Sequence, residues 1–342
     1  MNILVTGGAG FIGSNYCRLV LNRRPGDCVV VFDALTYAGN LSTIEDLERN
    51  ERFRFREGRI EDPGAVRRVL KEHRIEAIVN FAAETHNDRS LLAAGDFLRT
   101  NVIGVHVLLD CAREAGVNRF VQVSTDEVYG SIEEGEFTEE SPLQPNTPYS
   151  ASKAAGDLQC RAHFVAYGVP VIVTRGGNTY GAFQYPEKLI SFFTTRLMDG
   201  KKVPVYGEGN QVREWIHVED HCSGIDVVLR NGRPGEIYNI GDRNERRNME
   251  IVDVLLDELD KPRELVKHIP DPRKGAHDKR YSMNADKIRA LGWEPAVPFD
   301  EGLRATIRWY EENEQWWRAI CAEPEYQAFA QAFYGPGLGD DL

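Results

Sequence analysis

The chain has 342 residues, a net charge of −12 and 42% hydrophobic residues, enough for one large domain or two smaller ones. The acidic balance argues against general nucleic-acid binding, and no apolar run approaches the roughly 20 residues of a membrane span. The six cysteines are scattered and form no CxxC motif, so we expect reduced thiols in a cytoplasmic protein, and a strand predicted from residue 2 leaves no room for a signal or transit peptide.

The N-terminus carries a glycine-rich turn between two regular elements. Residues 2–6 are aliphatic and β-branched, which predicts a buried strand. Gly7-Gly8-Ala9-Gly10-Phe11-Ile12-Gly13 follows, and residues 14–22 predict a helix. In a dinucleotide-binding βαβ unit, such glycines permit a tight turn, a close approach of the pyrophosphate and close packing of helix on strand. The phosphates then lie over the helix N-terminus, where free N–H groups favour negative charge.

A second predicted strand supports this interpretation. Residues 28–32 end in Asp33, twenty residues after Gly13. An acid at this position can accept a hydrogen bond from a ribose 2′-OH and would repel a 2′-phosphate. Ala34 follows, and not Arg, so the sequence predicts NAD rather than NADP. The alternative is a structural βαβ start that binds no nucleotide.

Strand-like and helix-like segments alternate through about residue 175. Strands are predicted over residues 53–56, 77–81, 120–124 and 169–174, with helices such as 65–71 and 102–115 between them. This alternation predicts an α/β fold, a Rossmann-type doubly wound parallel sheet with helices on both faces.

The pattern changes after Thr174. Helices predicted over 186–198 and 249–259 mix with short strands over 203–206 and 236–240, and Gly and Pro become frequent. We therefore predict a Rossmann domain over residues 1–175 and a smaller mixed α/β substrate domain over 176–342, segments of which can return to the sheet. A cleft between the two is expected to hold the site.

Ligands of open α/β sheets bind beyond the carboxyl ends of the strands. The fifth predicted strand ends at Thr125-Asp126-Glu127, and a helix that carries Tyr149 and Lys153 follows. The last two are four residues apart and share a helical face, a spacing that is common by chance. A phenol titrates near about 10, and a neighbouring ammonium together with a positive nicotinamide would lower that pKa. Such a tyrosine can take a proton from an alcohol while hydride leaves the same carbon.

The glycine loop, Thr125, Tyr149 and Lys153 together resemble the extended short-chain dehydrogenase/reductase family. Within it, Thr125-Asp126-Glu127-Val128-Tyr129-Gly130 resembles the signature of dTDP-glucose 4,6-dehydratases, whereas epimerases and decarboxylases usually lack the acidic pair. Five further segments agree, and the likeness extends from residue 1 to about residue 293. Those segments are residues 83–90, 185–190, 211–215, 238–241 and 244–248.

The resemblance implies an NAD-dependent dehydration of dTDP-glucose to dTDP-4-keto-6-deoxyglucose, by oxidation at C4, loss of water across C5 and C6, and return of hydride to C6. It implies Glu127 as the base at C5 and Asp126 as the acid for the leaving hydroxyl. These roles need opposite starting states, so the environments must separate the two pKa values. Neighbours on a strand point to opposite faces, so both acids can reach one sugar only if the chain leaves strand geometry there.

The resemblance also implies the other contacts. Thr125 would hold the C4 hydroxyl and the developing ketone, and Lys153 would also bridge the nicotinamide ribose. The implied cofactor positions are Gly7, Gly10, Phe11, Ile12, Gly13, Asp33, Ala34, Leu35, Thr36, Ile60, Phe81, Ala82, Ala83, Thr85, Thr100, Tyr149 and Lys153. The implied substrate positions are Thr85, Thr125, Asn178, Glu187, Lys188, Leu189, Val205, Tyr206, Arg213, Asn248 and His277. Among these, Arg213 would clamp the diphosphate, a role suited to a bidentate guanidinium.

Three segments depart from the family pattern. Asn178-Thr179 stands where the family usually has Asn-Asn. Arg59-Ile60 stands where the third strand usually exits at Asp-Ile, with the acid near the adenine. Residues 273–278 are one residue longer than the family's Arg-Pro-Gly-His-Asp, in a loop that lies over the nucleotide in relatives.

The remaining features predict no further chemistry. The eight histidines show no metal-ligand spacing, so we predict no metal site, and His217 and His221 are interpreted as structural. Trp309, Trp316 and Trp317 with Tyr310 are expected on a packed helix face, and residues 335–342 as a loose tail. The resemblance implies a homodimer through the long helices that follow residues 96 and 149.

Two other functions stay open at this point. A nucleotide-sugar 4-epimerase or decarboxylase would share Tyr149 and Lys153, because it also oxidises C4. A non-catalytic NAD-binding protein would share the fold, although it would not need Thr125, Tyr149 and Lys153.

Overall fold

The computed structural model describes residues 1–273 and 277–342. The strands, in chain order, are β1 Asn2–Thr6, β2 Cys28–Asp33, β3 Phe53–Glu57, β4 Ala77–Asn80, β5 Arg119–Thr125, β6 Val171–Gly176, β7 Asn178–Tyr180, β8 Val203–Tyr206, β9 Val212–His217, β10 Ile237–Ile240, β11 Glu245–Arg247 and β12 Val266–Ile269. The helices are α1 Phe11–Arg23, α2 Pro63–Glu72, α3 Asn87–Leu92, α4 Ala94–Leu98, α5 Val105–Ala115, α6 Pro148–Tyr167, α7 Leu189–Met198, α8 Val218–Asn231, α9 Asn248–Glu258, α10 Asp286–Arg289, α11 Phe299–Glu312, α12 Glu314–Cys321 and α13 Pro324–Leu338.

Seven strands form one parallel sheet in the order β10-β6-β5-β4-β1-β2-β3. The predicted doubly wound parallel α/β fold is thereby confirmed. The strand order reverses direction beside β1, where β2 pairs on one side and β4 on the other. Open α/β sheets bind ligands beyond the carboxyl ends of the strands at such a reversal. β10 comes from the second half of the chain and pairs with β6.

Helices cover both faces of the sheet because its central strands are apolar on both sides. Ile3 and Val5 of β1 belong to a core cluster with α1 and α8, whereas Leu4 belongs to the opposite cluster with α2 and α5. A polar ladder crosses the sheet inside this apolar frame. The Asn80 amide accepts from the hydroxyl of Thr6 and donates to Gln122 Oε1 at 2.7 Å, which ties β1, β4 and β5 together near the site.

The second half of the chain adds two small sheets and a separate core. β11, β9 and β7 form a three-stranded mixed sheet, and β12 pairs in parallel with β8. α7, α9, α11 and α13 contribute to the second apolar cluster. In the described ranges, no helix combines the length and the apolar character that crossing a bilayer requires.

Three predicted segments differ from the structure. The helix expected over 102–115 begins earlier, with a π-helical segment Arg99–Gly104 before α5. The helix expected from residue 186 begins only at Leu189, because Lys188 keeps an extended backbone (φ −94°, ψ 160°). The loose tail predicted over 335–342 is wrong, since α13 continues to Leu338 and a 3₁₀ turn spans Gly339–Asp341.

The C-terminus is held by two cations that are distant in the sequence. Arg196 donates to the carbonyl oxygens of Asp341 and Leu342 at 2.6 and 3.1 Å. Lys267 Nζ donates to the Leu338 carbonyl at 2.7 Å. These bonds satisfy terminal carbonyls that have no partner within the helix, so the last residues remain docked.

Candidate functional site

A cavity of about 370 Å³ lies beyond the carboxyl ends of the sheet. Its wall extends from the glycine loop to Tyr334 of α13. All but one of the residues that the sequence nominates for catalysis or binding line it, and that one is Leu35. The Leu35 backbone N–H donates to Asp33 Oδ1 at 2.9 Å, so this residue supports the acid and does not reach the cavity.

The glycine loop has the geometry of a phosphate cradle. Gly7 adopts φ +66°, and a Cβ added there would lie 2.6 Å from the Ala82 nitrogen. A Cβ at Gly13 would lie 2.3 Å from the Gly7 carbonyl oxygen, so neither position tolerates a side chain without movement. α1 begins directly after Gly10, and no side chain caps it. Its free N–H groups can therefore bind an anion, as a dinucleotide pyrophosphate requires.

Asp33 is fixed at the end of β2 by backbone donors. Its Oδ2 accepts from the Ala9 N–H at 2.9 Å, and its Oδ1 accepts from Leu35. Burial raises the pKa of Asp33, and the hydrogen bonds from these N–H groups offset only part of that rise. The cradle, the uncapped helix and this acid fit NAD. Arg59 lines the same region at the end of β3, where the family usually carries an acid near the adenine.

The acidic pair follows a change of backbone geometry. β5 ends at Thr125, and a 3₁₀ turn begins at once over Asp126–Val128. Thr125 Oγ1 accepts from the Glu127 N–H at 3.3 Å and donates to Asp126 Oδ1 at 3.0 Å. Both acids line the cavity as a result. The chain therefore leaves strand geometry at the point where the chemistry requires it.

The two carboxyls have different surroundings. Asp126 is only 2% exposed, and its Oδ2 has no hydrogen-bond partner among the described residues. Burial raises the pKa of Asp126 well above its usual range, and the nearby carboxylates of Glu127 and Glu214 raise it further. The raised pKa favours the protonated form of Asp126, which is the state that a general acid needs.

Glu127 is held by a side chain that sequence analysis did not nominate. The Asn87 amide donates to the Glu127 carboxylate, and Asn87 Oδ1 accepts from the Thr147 hydroxyl at 2.8 Å. Thr147 is also the N-cap of α6. The base proposed by the resemblance is thus oriented from the start of the helix that carries Tyr149. Asn87 lies in a segment that matches the family, which was the only signal for it in the sequence.

Tyr149 and Lys153 lie on the buried face of α6. Lys153 Nζ donates to the Val123 carbonyl at 2.7 Å, and burial lowers the pKa of Lys153 to about 8. The predicted lowering of the Tyr149 pKa by this ammonium together with a nicotinamide stays a prediction, and in the protein alone Lys153 is not among the main groups that shift that pKa. Burial and the Glu127 carboxylate raise the Tyr149 pKa, and the nearby Thr125 side chain opposes them only in part. The ammonium is directed to a backbone carbonyl instead.

Several substrate positions line the cavity but already have partners in the protein. Glu187 accepts from Arg89 Nε at 3.0 Å and from the Tyr37 hydroxyl at 3.1 Å. Lys188 Nζ donates to the Thr85 carbonyl at 2.8 Å. Arg213 Nη1 and Nη2 donate to the carbonyls of Val212 and Asp278, each at 2.8 Å. A ligand would share these groups with the protein.

Other substrate positions offer polar atoms that lack a partner. Asn178 Oδ1 and Asn248 Oδ1 are buried, line the cavity and accept no hydrogen bond from the described residues. Buried polar atoms are normally satisfied, so two unpartnered amide oxygens on residues of the cavity wall fit a site for a polar ligand. Leu189 and Val205 also line the cavity, and Val205 belongs to the second apolar core.

An ion pair that sequence analysis did not nominate, Arg273 with Asp88, lines the cavity. Arg273 Nε donates to Asp88, which also accepts from the Tyr206 hydroxyl at 3.3 Å. His277 packs edge-on to Tyr206, with ring centres 6.0 Å apart, and burial lowers its pKa to about 4. Arg273 and His277 belong to the longer loop identified in the sequence. Its residues 274–276 lie outside the described residues.

Comparisons with known proteins agree with this geometry. A family model described as GDP-mannose 4,6 dehydratase matches residues 4–306. A dTDP-glucose 4,6-dehydratase of Streptomyces griseus is 51% identical over 323 residues, which are 93% of this chain and 97% of the relative. A dTDP-glucose 4,6-dehydratase of Streptomyces niveus is 48% identical over 330 residues, 95% of this chain and 97% of the relative. The solved structure of DesIV, the dTDP-glucose 4,6-dehydratase of Streptomyces venezuelae with NAD bound, superposes with a TM-score of 0.91 at 50% identity, and covers 94% of this chain and 100% of that one.

Proposed function

Because the chain belongs to the GDP-mannose 4,6 dehydratase family, we propose that it dehydrates dTDP-glucose to dTDP-4-keto-6-deoxyglucose with NAD as its cofactor. The observation that carries the proposal is the pair of unlike acids in one cavity, a buried Asp126 with a raised pKa beside a Glu127 held by Asn87. A simple epimerase has no use for an acid and a base at C5 and C6. The pair therefore favours dehydration over the other reactions of the fold.

The proposed steps assign one proton movement to each side chain. Tyr149 takes the proton of the C4 hydroxyl, and Thr125 donates a hydrogen bond to the C4 oxygen as it becomes a ketone. The ketone acidifies the C5 proton, which Glu127 removes. Asp126 protonates the C6 hydroxyl as it leaves as water. NAD held by the glycine loop and Asp33 would supply the hydride acceptor for C4 and the hydride donor for C6, and Glu127 would return a solvent-exchanged proton to C5.

The protonation states of the chain support this assignment. Burial raises the pKa of Asp126 and so favours its protonated form. Burial keeps Tyr149 a phenol in the protein alone, so its role as the base at C4 requires ionisation in the complex, which a positive nicotinamide ring would favour. Lys153 places a positive charge next to the same strand exit below a pH of about 8.

We propose that residues 1–175 mainly hold the cofactor and that residues 176–342 mainly hold the nucleotide sugar. The cavity wall supports this division, because the glycine loop and Asp33 lie in the first part and Asn178, Arg213 and Asn248 in the second. The choice of thymine over guanine rests on the relatives at 48% and 51% identity, since the family model is described by a guanosine substrate.

We further propose a homodimer in the cytoplasm. Large apolar side chains stay exposed on the surface around α6 and the π-helical segment, among them Ile103, Leu158, Val165 and Tyr167. Such a patch is typical of an interface between copies. All six cysteines lie in the described residues and none forms a disulfide, which fits a reducing compartment.

The proposal is tested by incubating the purified protein and NAD with dTDP-, UDP-, CDP- and GDP-linked hexoses and measuring product masses. We expect loss of one water from dTDP-glucose and a product that absorbs in alkali. A pentose product or an epimer without loss of water would refute the dehydratase. Binding of NAD without turnover of any nucleotide sugar would support a non-catalytic protein instead.

A further inference from the structure

Two histidines and an aspartate converge on the surface between α5 and α6, away from the cavity. His106 and Asp110 are four residues apart on α5, and His163 lies on α6. His106 Nε2 lies 3.5 Å from Asp110 Oδ2, and His163 Nε2 lies 3.5 Å from Asp110 Oδ1. One ligand atom of each residue lies within 4.8 Å of the other two. None of the three lines the cavity, so the proposed dehydration leaves them unexplained.

The burial and the hydrogen bonding of the His163 ring indicate that one of its nitrogens binds a ligand. This side chain is 3% exposed, and its Nδ1 lies 2.9 Å from the Gln159 carbonyl oxygen. A carbonyl only accepts, so Nδ1 carries the hydrogen and Nε2 of the neutral ring presents a lone pair. Nε2 is buried and has no hydrogen-bond partner among the described residues. A buried polar atom without a partner is rare in folded proteins, and this one points at the other two side chains.

We propose that His106, Asp110 and His163 bind a divalent first-row transition metal such as Zn²⁺. Zinc bonds to histidine nitrogen or carboxylate oxygen measure about 2.0–2.2 Å, which places neighbouring ligands of a tetrahedral site roughly 3.4 Å apart. The two histidine nitrogens each lie 3.5 Å from Asp110, His106 Nε2 from Oδ2 and His163 Nε2 from Oδ1, so the carboxylate would bind the ion through both oxygens or turn to present one. Two imidazoles and one carboxylate suit zinc, nickel or copper better than magnesium or calcium.

The surrounding residues support a bound metal, and they also include a cation that could pair with Asp110 in its place. Metal-binding histidines usually donate their second ring nitrogen to a carbonyl, the contact that His163 makes with Gln159. Arg113 Nη2 lies 3.7 Å from Asp110 Oδ1 and is a competing cation for this carboxylate. Without a metal, Asp110 would serve only as an ion-pair partner for Arg113 and for protonated histidines. The metal would link α5 to α6, the helix that carries Tyr149 and Lys153.

Sequence analysis predicted no metal site because the third ligand is distant. His106 and Asp110 have a spacing that places them on one helical face, but His163 follows more than fifty residues later. Only the packing of α5 against α6 brings them together. The proposal does not depend on the proposed dehydratase activity, because the site would bind metal in a protein with any other function.

The test uses the untagged, full-length protein after treatment with a chelator, titrated with Zn²⁺ alone by calorimetry. We expect one ion per chain, and Co²⁺ in its place should give the ligand-field absorption of a four-coordinate site. His106→Ala and Asp110→Asn should each lower the affinity about tenfold or more. His268→Ala is the matched control, since it removes an exposed imidazole whose ring bonds only to the Gly207 carbonyl among the described residues, and it should bind as the wild type does.

His106 is half-exposed and Asp110 is partly exposed, so neither variant should prevent folding, which circular dichroism would verify. His163→Gln is the third variant and should also lose binding. The proposal is overturned if no stoichiometric Zn²⁺ binds, which would leave an ion-pair cluster. It is equally overturned if His106→Ala and Asp110→Asn bind Zn²⁺ as tightly as the wild type.

Discussion

Replacing Asp126 with Asn removes the carboxyl proton that could be transferred to the substrate and changes the shape of the side chain very little. The Asn side chain has the same shape, and its oxygen can still accept from Thr125, which donates to Asp126 Oδ1 at 3.0 Å. It cannot protonate the C6 hydroxyl. General acid catalysis contributes about 10²–10⁴-fold to a rate. At about 1.36 kcal/mol per tenfold, the barrier to loss of water should rise by about 2.7–5.4 kcal/mol.

The same variant should not lose stability. Burial raises the pKa of Asp126 above its value of about 3.9 in an unfolded chain. Above that pH the unfolded chain releases a proton that the folded chain retains, so the wild-type residue reduces stability as pH rises. Asn carries no such cost. The melting temperature of Asp126→Asn at pH about 7 should therefore equal or exceed that of the wild type, and the difference should shrink toward pH about 4.

The assay measures dehydrated dTDP-hexose by mass over time, together with a thermal melt of each protein. Asp242→Asn is a matched control, because burial also raises the pKa of Asp242, to about 6, and this residue does not line the cavity. The control should keep the wild-type rate. An Asp126→Asn enzyme that dehydrates within a few-fold of the wild type would refute the acid role. A melting temperature well below the wild type would refute the inference that Asp126 is buried in its protonated form.

Three further predictions follow from the cavity. Tyr149→Phe should lower the overall rate by about 10²–10⁴-fold and weaken NAD binding, measured at equilibrium, far less than it lowers the rate; comparable activity would exclude Tyr149 as the proton acceptor. Gly13→Ala places a Cβ 2.3 Å from the Gly7 carbonyl oxygen. With an overpacking cost of about 1–3 kcal/mol, NAD binding should weaken by roughly tenfold or more. Unchanged NAD affinity would argue against a phosphate cradle at this turn. Burial lowers the pKa of Lys153 to about 8, so this side chain is charged below that pH and the rate should fall as pH rises through about 8. Lys153→Arg should move this fall in the pH–rate profile to higher pH, because Arg stays charged. A fall that stays at the same pH would belong to another group.

The dinucleotide site could be predicted because its residues lie close together in the sequence. The strand, glycine turn and helix lie together in the first part of the chain, and Asp33 follows at a fixed distance, so the dinucleotide site could be inferred before any fold was known. The requirement that the backbone leave strand geometry after Thr125 also followed from the chemistry. The 3₁₀ turn Asp126–Val128 meets that requirement.

The parts that could not be predicted depend on contacts between distant residues and on burial. Glu214 helps to raise the pKa of Asp126 from far along the chain, and Asn87 orients Glu127 from another strand exit. Tyr149 was expected to titrate low because its spacing from Lys153 is visible in the sequence, whereas its burial is not. The C-terminal residues contain glycine and proline, typical of a loose tail, but Arg196 holds their carbonyls in place.

The most direct test of the central claim is to run the reaction in D₂O with the wild type and with Glu127→Gln, and to locate deuterium in the recovered sugars. The account predicts that the wild type yields a product that has lost water and carries solvent deuterium at C5. It also predicts that Glu127→Gln can still oxidise C4 but neither exchanges C5 nor releases water. Dehydration by Glu127→Gln at the wild-type rate with deuterium at C5 would contradict it, as would a wild-type product that keeps its water and carries no deuterium at C5.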